Sequence, residues 1–184
     1  GPVMEEIWRE TIKYLKCHSR ESGNPDPRLR EDDRKNIKIL VLGLGGGSII
    51  KILNKHFPKT KIAAVDYDPI MVELGKKYLG LMNDSNMKIV IDDAVNFINK
   101  TKQQFDLIFV DLFSGDVIPK KTETEIFLRR IKAKLKEFGL VVFNRHYYQN
   151  HISEAKIFLD KLREIFNDVD KNKILTNLLI FCRK

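Results

Sequence analysis

The chain has 184 residues, 43% of them apolar and 32% charged, with a formal net charge of +8. These values fit one soluble globular unit and exclude a low-complexity chain; Cys17 and Cys182 are too few and too far apart for a disulfide framework or a zinc site. No apolar run reaches the roughly 18 residues of a membrane span, and GPVMEEIWRE carries acids where a leader needs bases, so a cytoplasmic location is expected.

Along the chain, residues 4–16 place Ile7, Trp8, Ile12 and Leu15 on one helical face. Residues 17–34, CHSRESGNPDPRLREDDR, lack apolar periodicity and read as a loop or disordered insert. Residues 1–36 are therefore a helix plus a flexible insert, and 37–184 a single alternating domain. In that domain IKILVL (37–42) is a strand and 48–57 a helix burying Ile49, Ile52, Leu53 and Phe57. KIAAVD (61–66) is a strand, and 69–82 a helix with Pro69 in its first turn. MKIVID (87–92), a short helix over 94–100 and the apolar strand FDLIFVD (105–111) follow. A helix over 122–136, the strand GLVVFN (139–144), a helix over 153–166 and a terminal strand or strand pair in 173–184 complete the pattern. Such alternation predicts an α/β fold: a doubly wound, mostly parallel, seven-stranded Rossmann-like sheet with helices on both faces.

Charge is uneven. Residues 119–184 hold 15 basic and 8 acidic residues and so carry +7 of the +8. A nucleic acid or another acidic partner is one reading; a solvated helix surface is the favoured one, because the bases fall at helical spacing.

Ligands of such sheets sit beyond the carboxyl ends of the strands, so the strand ends carry the chemistry. The first ends in Gly43, Leu44, Gly45, Gly46, Gly47 and Ser48, bare backbone opening a helix, suited to a close-lying ligand. Ser48 stands where a dinucleotide fingerprint has its third glycine or alanine. Asp66, followed by Tyr67, ends the second strand some 20 residues later, where an acid can accept both hydroxyls of a ribose; Asp68 is the better helix cap. Asp92, Asp93 and Ala94 end the third, placing a carboxylate for an adenine amino group and an N–H for the ring, with helix capping as the competing use. Asp111 ends the fourth and should emerge in the cleft, followed by Phe113, which could cover the adenine or simply pack. Asn144-Arg145-His146-Tyr147-Tyr148 ends the fifth and could line an acceptor pocket. Taken in order, these describe a site for one adenosine.

VLGLGGGS, AVDYDP (64–69), DDAVNFI (92–98), FDLIFVDLFSGDVIP (105–119) and GLVVFN resemble the spermidine-synthase-like branch of class I S-adenosylmethionine-dependent methyltransferases, over about residues 37–184. The resemblance implies the class I methyltransferase fold, with S-adenosylmethionine or its decarboxylated form as cofactor. It puts the methionine part on Gly43–Gly47, ribose on Asp66, adenine on Asp93 and Ala94, and Asp111 in the place of the aminopropyltransferases' catalytic aspartate. Those enzymes carry an acid after the glycines and a DSSDP-like stretch after the fourth strand; this chain has Ser48 and DLFSGD. Their amino-terminal β-domain has no counterpart in residues 1–36. Methyl transfer is therefore expected over aminopropyl transfer. A nicotinamide-dependent dehydrogenase and a cofactor-binding partner subunit without chemistry are the other readings. The acceptor is open, whether a small amine, a protein or a nucleic acid, and a sheet edge or the first helix could support a homodimer.

Overall fold

This computed structural model describes residues 5–13, 37–45, 47–58, 60–78 and 86–184. Residues 5–13 are helical (α1). The alternating elements follow as β1 Lys38–Leu42, α2 Ser48–His56, β2 Lys61–Asp66, α3 Pro69–Tyr78, β3 Met87–Ile91, α4 Ala94–Lys100 and β4 Phe105–Val110. After a 3₁₀ turn at Lys120–Glu123 come α5 Glu125–Lys134, β5 Leu135–His146, α6 His151–Ile165, β6 Asp168–Ile174 and β7 Asn177–Arg183. The insert expected over 17–34, Leu15 and the last turn expected of the 69–82 helix lie outside the described residues.

Seven strands form one sheet in the order β3-β2-β1-β4-β5-β7-β6. The first five run parallel, and β7 pairs antiparallel with both β5 and β6. Successive strand residues point to opposite faces, which sorts the core. Ile39, Val41, Ala64 and Phe109 pack with Ile7, Trp8 and Ile12 of α1 and with the buried stripe of α2. Leu40, Leu42, Ile108 and Val141 pack instead with α4, α5 and α6. Trp8 stands edge-on to Phe109, ring centroids 5.6 Å apart, so α1 is fixed to the central strand β4.

Two strand starts differ most from the sequence expectation. β5 starts at Leu135, not 139, because Leu135 already pairs with Phe105 and a register shift follows before Leu107 meets Leu140. Phe138 absorbs this irregularity in the left-handed region, at φ 58. The terminal strand pair also begins earlier, at Asp168, so charged residues form the edge strand β6 and the apolar run forms the covered β7.

Candidate active site

Sheet order reverses between β1 and β4, which brings their exit loops side by side. Gly43, at φ 87, is where they touch: a Cβ there would lie 2.1 Å from the Asp111 carbonyl oxygen. Gly45, at φ 46, would meet nothing within 4 Å and so opens onto free space. Gly47 begins α2 at φ 74 with no side-chain cap, and the first turn of α2 holds no acid. The positive end of that helix is therefore not neutralised by a capping side chain or a first-turn acid.

Asp66, buried at the end of β2, braces the glycine turn from beneath. Its Oδ2 accepts from the N–H of Leu44 at 2.7 Å and of Gly45 at 3.2 Å, and Oδ1 accepts from Asp68 N–H at 3.0 Å. A carboxylate has about four acceptor positions, so about one remains, on Oδ1. Asp68 caps α3 through Ile70 N–H at 2.8 Å. At β3 the two acids divide their work: Asp92 accepts from Asp93 N–H, and Asp93 caps α4 through Val95 and Asn96. Asp93 Oδ2 accepts from Lys121 Nζ at 2.6 Å, tying the loop after β4 to α4. Burial alone would raise the Asp93 pKa, but the Lys121 hydrogen bond and charge, with the Asn96 and Val95 amides, hold it below the usual carboxylate value.

Asp111 follows β4 and is half-buried. Burial pushes its carboxyl pKa up to about 7, against the opposing hydrogen bond from Asn144 Nδ2 to Oδ1 at 2.8 Å. Behind it, Asn177 Nδ2 donates to Asn144 Oδ1 at 2.8 Å. The rest of the β5 cluster lies to one side. Arg145 pairs with Glu123 and lies 4.2 Å over the Phe158 ring, a packing role. His146 stacks on Phe113, centroids 4.4 Å apart, and touches Tyr148 and His151. Its pKa is lowered by burial first, partly offset by Asp116.

These loops enclose a cavity of about 1000 Å³. Gly43, Leu44, Gly45, Ser48, Asp66, Tyr67, Asp92, Asp93, Ala94, Asp111 and Phe113 all line it. Gly47 does not line it but shapes the turn, and Gly46 lies outside the described residues. Asn144 and the four residues after it are also absent from its walls, so the acceptor-pocket reading of that cluster reduces to contact with Phe113. Sequence reasoning missed Trp8, Lys121 and Thr122, which do line the cavity, and Asn177 behind Asp111. No spacing rule connects Trp8 or Asn177 to the strand ends.

The model of the spermine/spermidine synthase domain matches residues 29–177, most of the chain. The chain belongs to the spermine/spermidine synthase family. Family relatives include the eEF1A lysine and N-terminal methyltransferase of Bos taurus, 32% identical over 119 residues, covering 59% of this chain and 17% of the relative. The polyamine aminopropyltransferase of Vibrio vulnificus is 31% identical over 110 residues, covering 58% of this chain and 37% of the relative. The chain thus spans well under half the length of these curated relatives. Among solved structures, human methyltransferase-like protein 13 in complex with SAH superposes with a TM-score of 0.72 at 27% identity, over 80% of this chain and 71% of that one. The seven-stranded sheet is the class I methyltransferase fold. Among the described residues, no helix is long and apolar enough to cross a membrane.

Proposed function

We propose that this family member is an S-adenosylmethionine-dependent methyltransferase whose acceptor is an amine. The observation that carries the choice is the start of α2: uncapped, without an acid in its first turn, and with Ser48 on the cavity wall. A helix amino terminus favours a carboxylate, which S-adenosylmethionine has and its decarboxylated form lacks. The residues fit the cofactor elsewhere too. Gly45 leaves room over the backbone, Asp66 Oδ1 keeps an acceptor position for a ribose hydroxyl, and Ala94 lies on the wall beside Asp93. An adenine amino group would take the place of Lys121 on Asp93 Oδ2.

When bound, S-adenosylmethionine supplies a sulfonium whose methyl carbon is electrophilic. The chain's own contribution is position and proton control. Asp111, titrating near neutrality, takes a proton from an ammonium acceptor and frees its lone pair. Phe113 and Leu112 form the apolar wall beside it and limit water. Donor and acceptor held in line account for most of the rate.

Calorimetric titration with S-adenosylmethionine, its decarboxylated form and NAD tests the reading. S-adenosylmethionine should bind tightest, and Ser48→Asp should reverse the order in favour of the decarboxylated form. Tighter binding of the decarboxylated donor by the wild-type chain would instead establish aminopropyl transfer, the second reading, which the family and Asp111 also support. Binding of NAD alone would remove both.

A further inference from the structure

Behind Asp111 runs a line of polar groups with a single direction. Thr176 Oγ1 donates to Asn177 Oδ1 at 3.3 Å, Asn177 Nδ2 to Asn144 Oδ1 at 2.8 Å, and Asn144 Nδ2 to Asp111 Oδ1 at 2.8 Å. Asn144 and Asn177 are both buried, at 3% and 4% exposure. The register explains their meeting: Asn144 lies opposite Leu179 on β7, so Asn177, two residues away, is its diagonal neighbour on the same face. Thr176 is itself pinned, its carbonyl accepting from Tyr147 N–H at 2.7 Å.

A primary amide has one accepting end and one donating end, so holding either fixes both. An ionised carboxylate only accepts, whereas a protonated one can donate. Were the Asn144 amide free to turn over, its oxygen could face a protonated Asp111 and stabilise that form. With Asn177 on the Asn144 oxygen, only the N–H end can face Asp111. Asp111 Oδ2 has no partner among the described residues, and it is not among their fully buried, unpartnered polar atoms, which are Arg145 Nε and His146 Nε2. Oδ2 is therefore reachable from the cavity that Asp111 lines.

We propose that Asn177 is a positioning residue for Asp111. By occupying the Asn144 oxygen it keeps the Asn144 N–H on Oδ1 and leaves Oδ2 as the accepting atom facing the cavity. Asn177 touches neither ligand nor reacting atom; it acts through Asn144, from a strand at the far side of β5. The charged form of Asp111 is thereby favoured against the burial that opposes it. Its use as a proton acceptor rests on the transferase reading above, but the orientation itself does not.

The test uses the ligand-free chain and reads the Asp111 carboxyl directly, by carbon-13 NMR against pH. Asn177→Leu should raise the Asp111 midpoint by about one pH unit or more, with no further rise when Asn144→Leu is already present. An unchanged midpoint, or the same shift in both backgrounds, would overturn the proposal. Should Asn177→Leu fail to fold, the isosteric Asn177→Asp takes its place. Its carboxylate would claim the Asn144 N–H, and the rise should fall by at least half in the Asn144→Leu background, where only its charge acts. An undiminished rise there also overturns it. In the transferase assay, the acid limb of kcat/KM should move by the same amount as the carboxyl midpoint. A shifted carboxyl in a chain that transfers no methyl group would leave the positioning role standing and remove the function proposed above.

Discussion

A carboxyl group held near neutrality destabilises its fold whenever it is charged. The folded pKa of Asp111, about 7, lies above its ordinary value of 3.8, so between those limits the native state binds a proton that the unfolded chain has released. The stabilisation is complete below about pH 4 and is lost as pH rises through 7. Its full size is at most about 4 kcal/mol. Asp111→Asn keeps an oxygen for the Asn144 N–H but does not titrate. The melting temperature of Asp111→Asn relative to wild type should therefore climb between pH 4 and pH 8, while transfer is lost. A difference flat across that range would show that Asp111 titrates as an ordinary aspartate. Asp66 serves the fold differently, as the acceptor for the N–H groups of Leu44, Gly45 and Asp68. Asp66→Ala strands the buried Leu44 N–H, and urea titration should show a loss of about 1–3 kcal/mol. Asp66→Asn keeps one accepting oxygen and should recover most of that stability, with ligand affinity still lowered.

At the scale of elements, the most demanding contact is the crossing of the β1 and β4 exits. Gly43→Ala would drive a methyl group to 2.1 Å from a backbone oxygen at a φ of 87. Neither strand end can yield without opening the sheet, so a loss of about 2–4 kcal/mol is expected in the same titration. Phe138, largely exposed, holds a left-handed backbone at φ 58. Phe138→Asn relieves a left-handed backbone on a surface residue and should gain about 0.5–1 kcal/mol. These two sites also mark what the sequence could disclose. The glycine turn, the strand-end acids and the alternation of strand and helix follow from local rules, and the structure gathers those residues around one cavity. The early start of β5 did not show, because a phenylalanine fills a place where a glycine would have marked the irregularity. The Asn144–Asn177 pair was equally hidden: its partners are 33 residues apart and meet only through the antiparallel register.

Across the whole molecule, charge and the first helix take on roles that composition did not show. The bases of the last third are largely engaged: Arg129 with Glu125, Arg130 with Asn99, Lys132 with the Ile165 carbonyl, Lys134 with the Thr101 carbonyl and Lys136 with Asp106. Arg129 pairs within α5, Arg130 and Lys132 tie α5 to α4 and α6, Lys134 reaches the residue after α4, and Lys136 joins β5 to β4. α1 reaches further. Trp8 belongs to the core against Phe109 and also to the cavity wall that carries Ser48 and Asp66, so the first helix closes a site built by strand ends far along the chain. It is the only tryptophan in the sequence. Its fluorescence should therefore change saturably on titration with S-adenosylmethionine, with the midpoint found by calorimetry, and Trp8→Phe should abolish the signal while retaining binding. A tryptophan signal that stays constant while calorimetry registers binding would place the ligand away from α1. A signal that changes only with the decarboxylated donor would move the chain to the aminopropyl side of its family, because the same wall would then be reading a cofactor without a carboxylate.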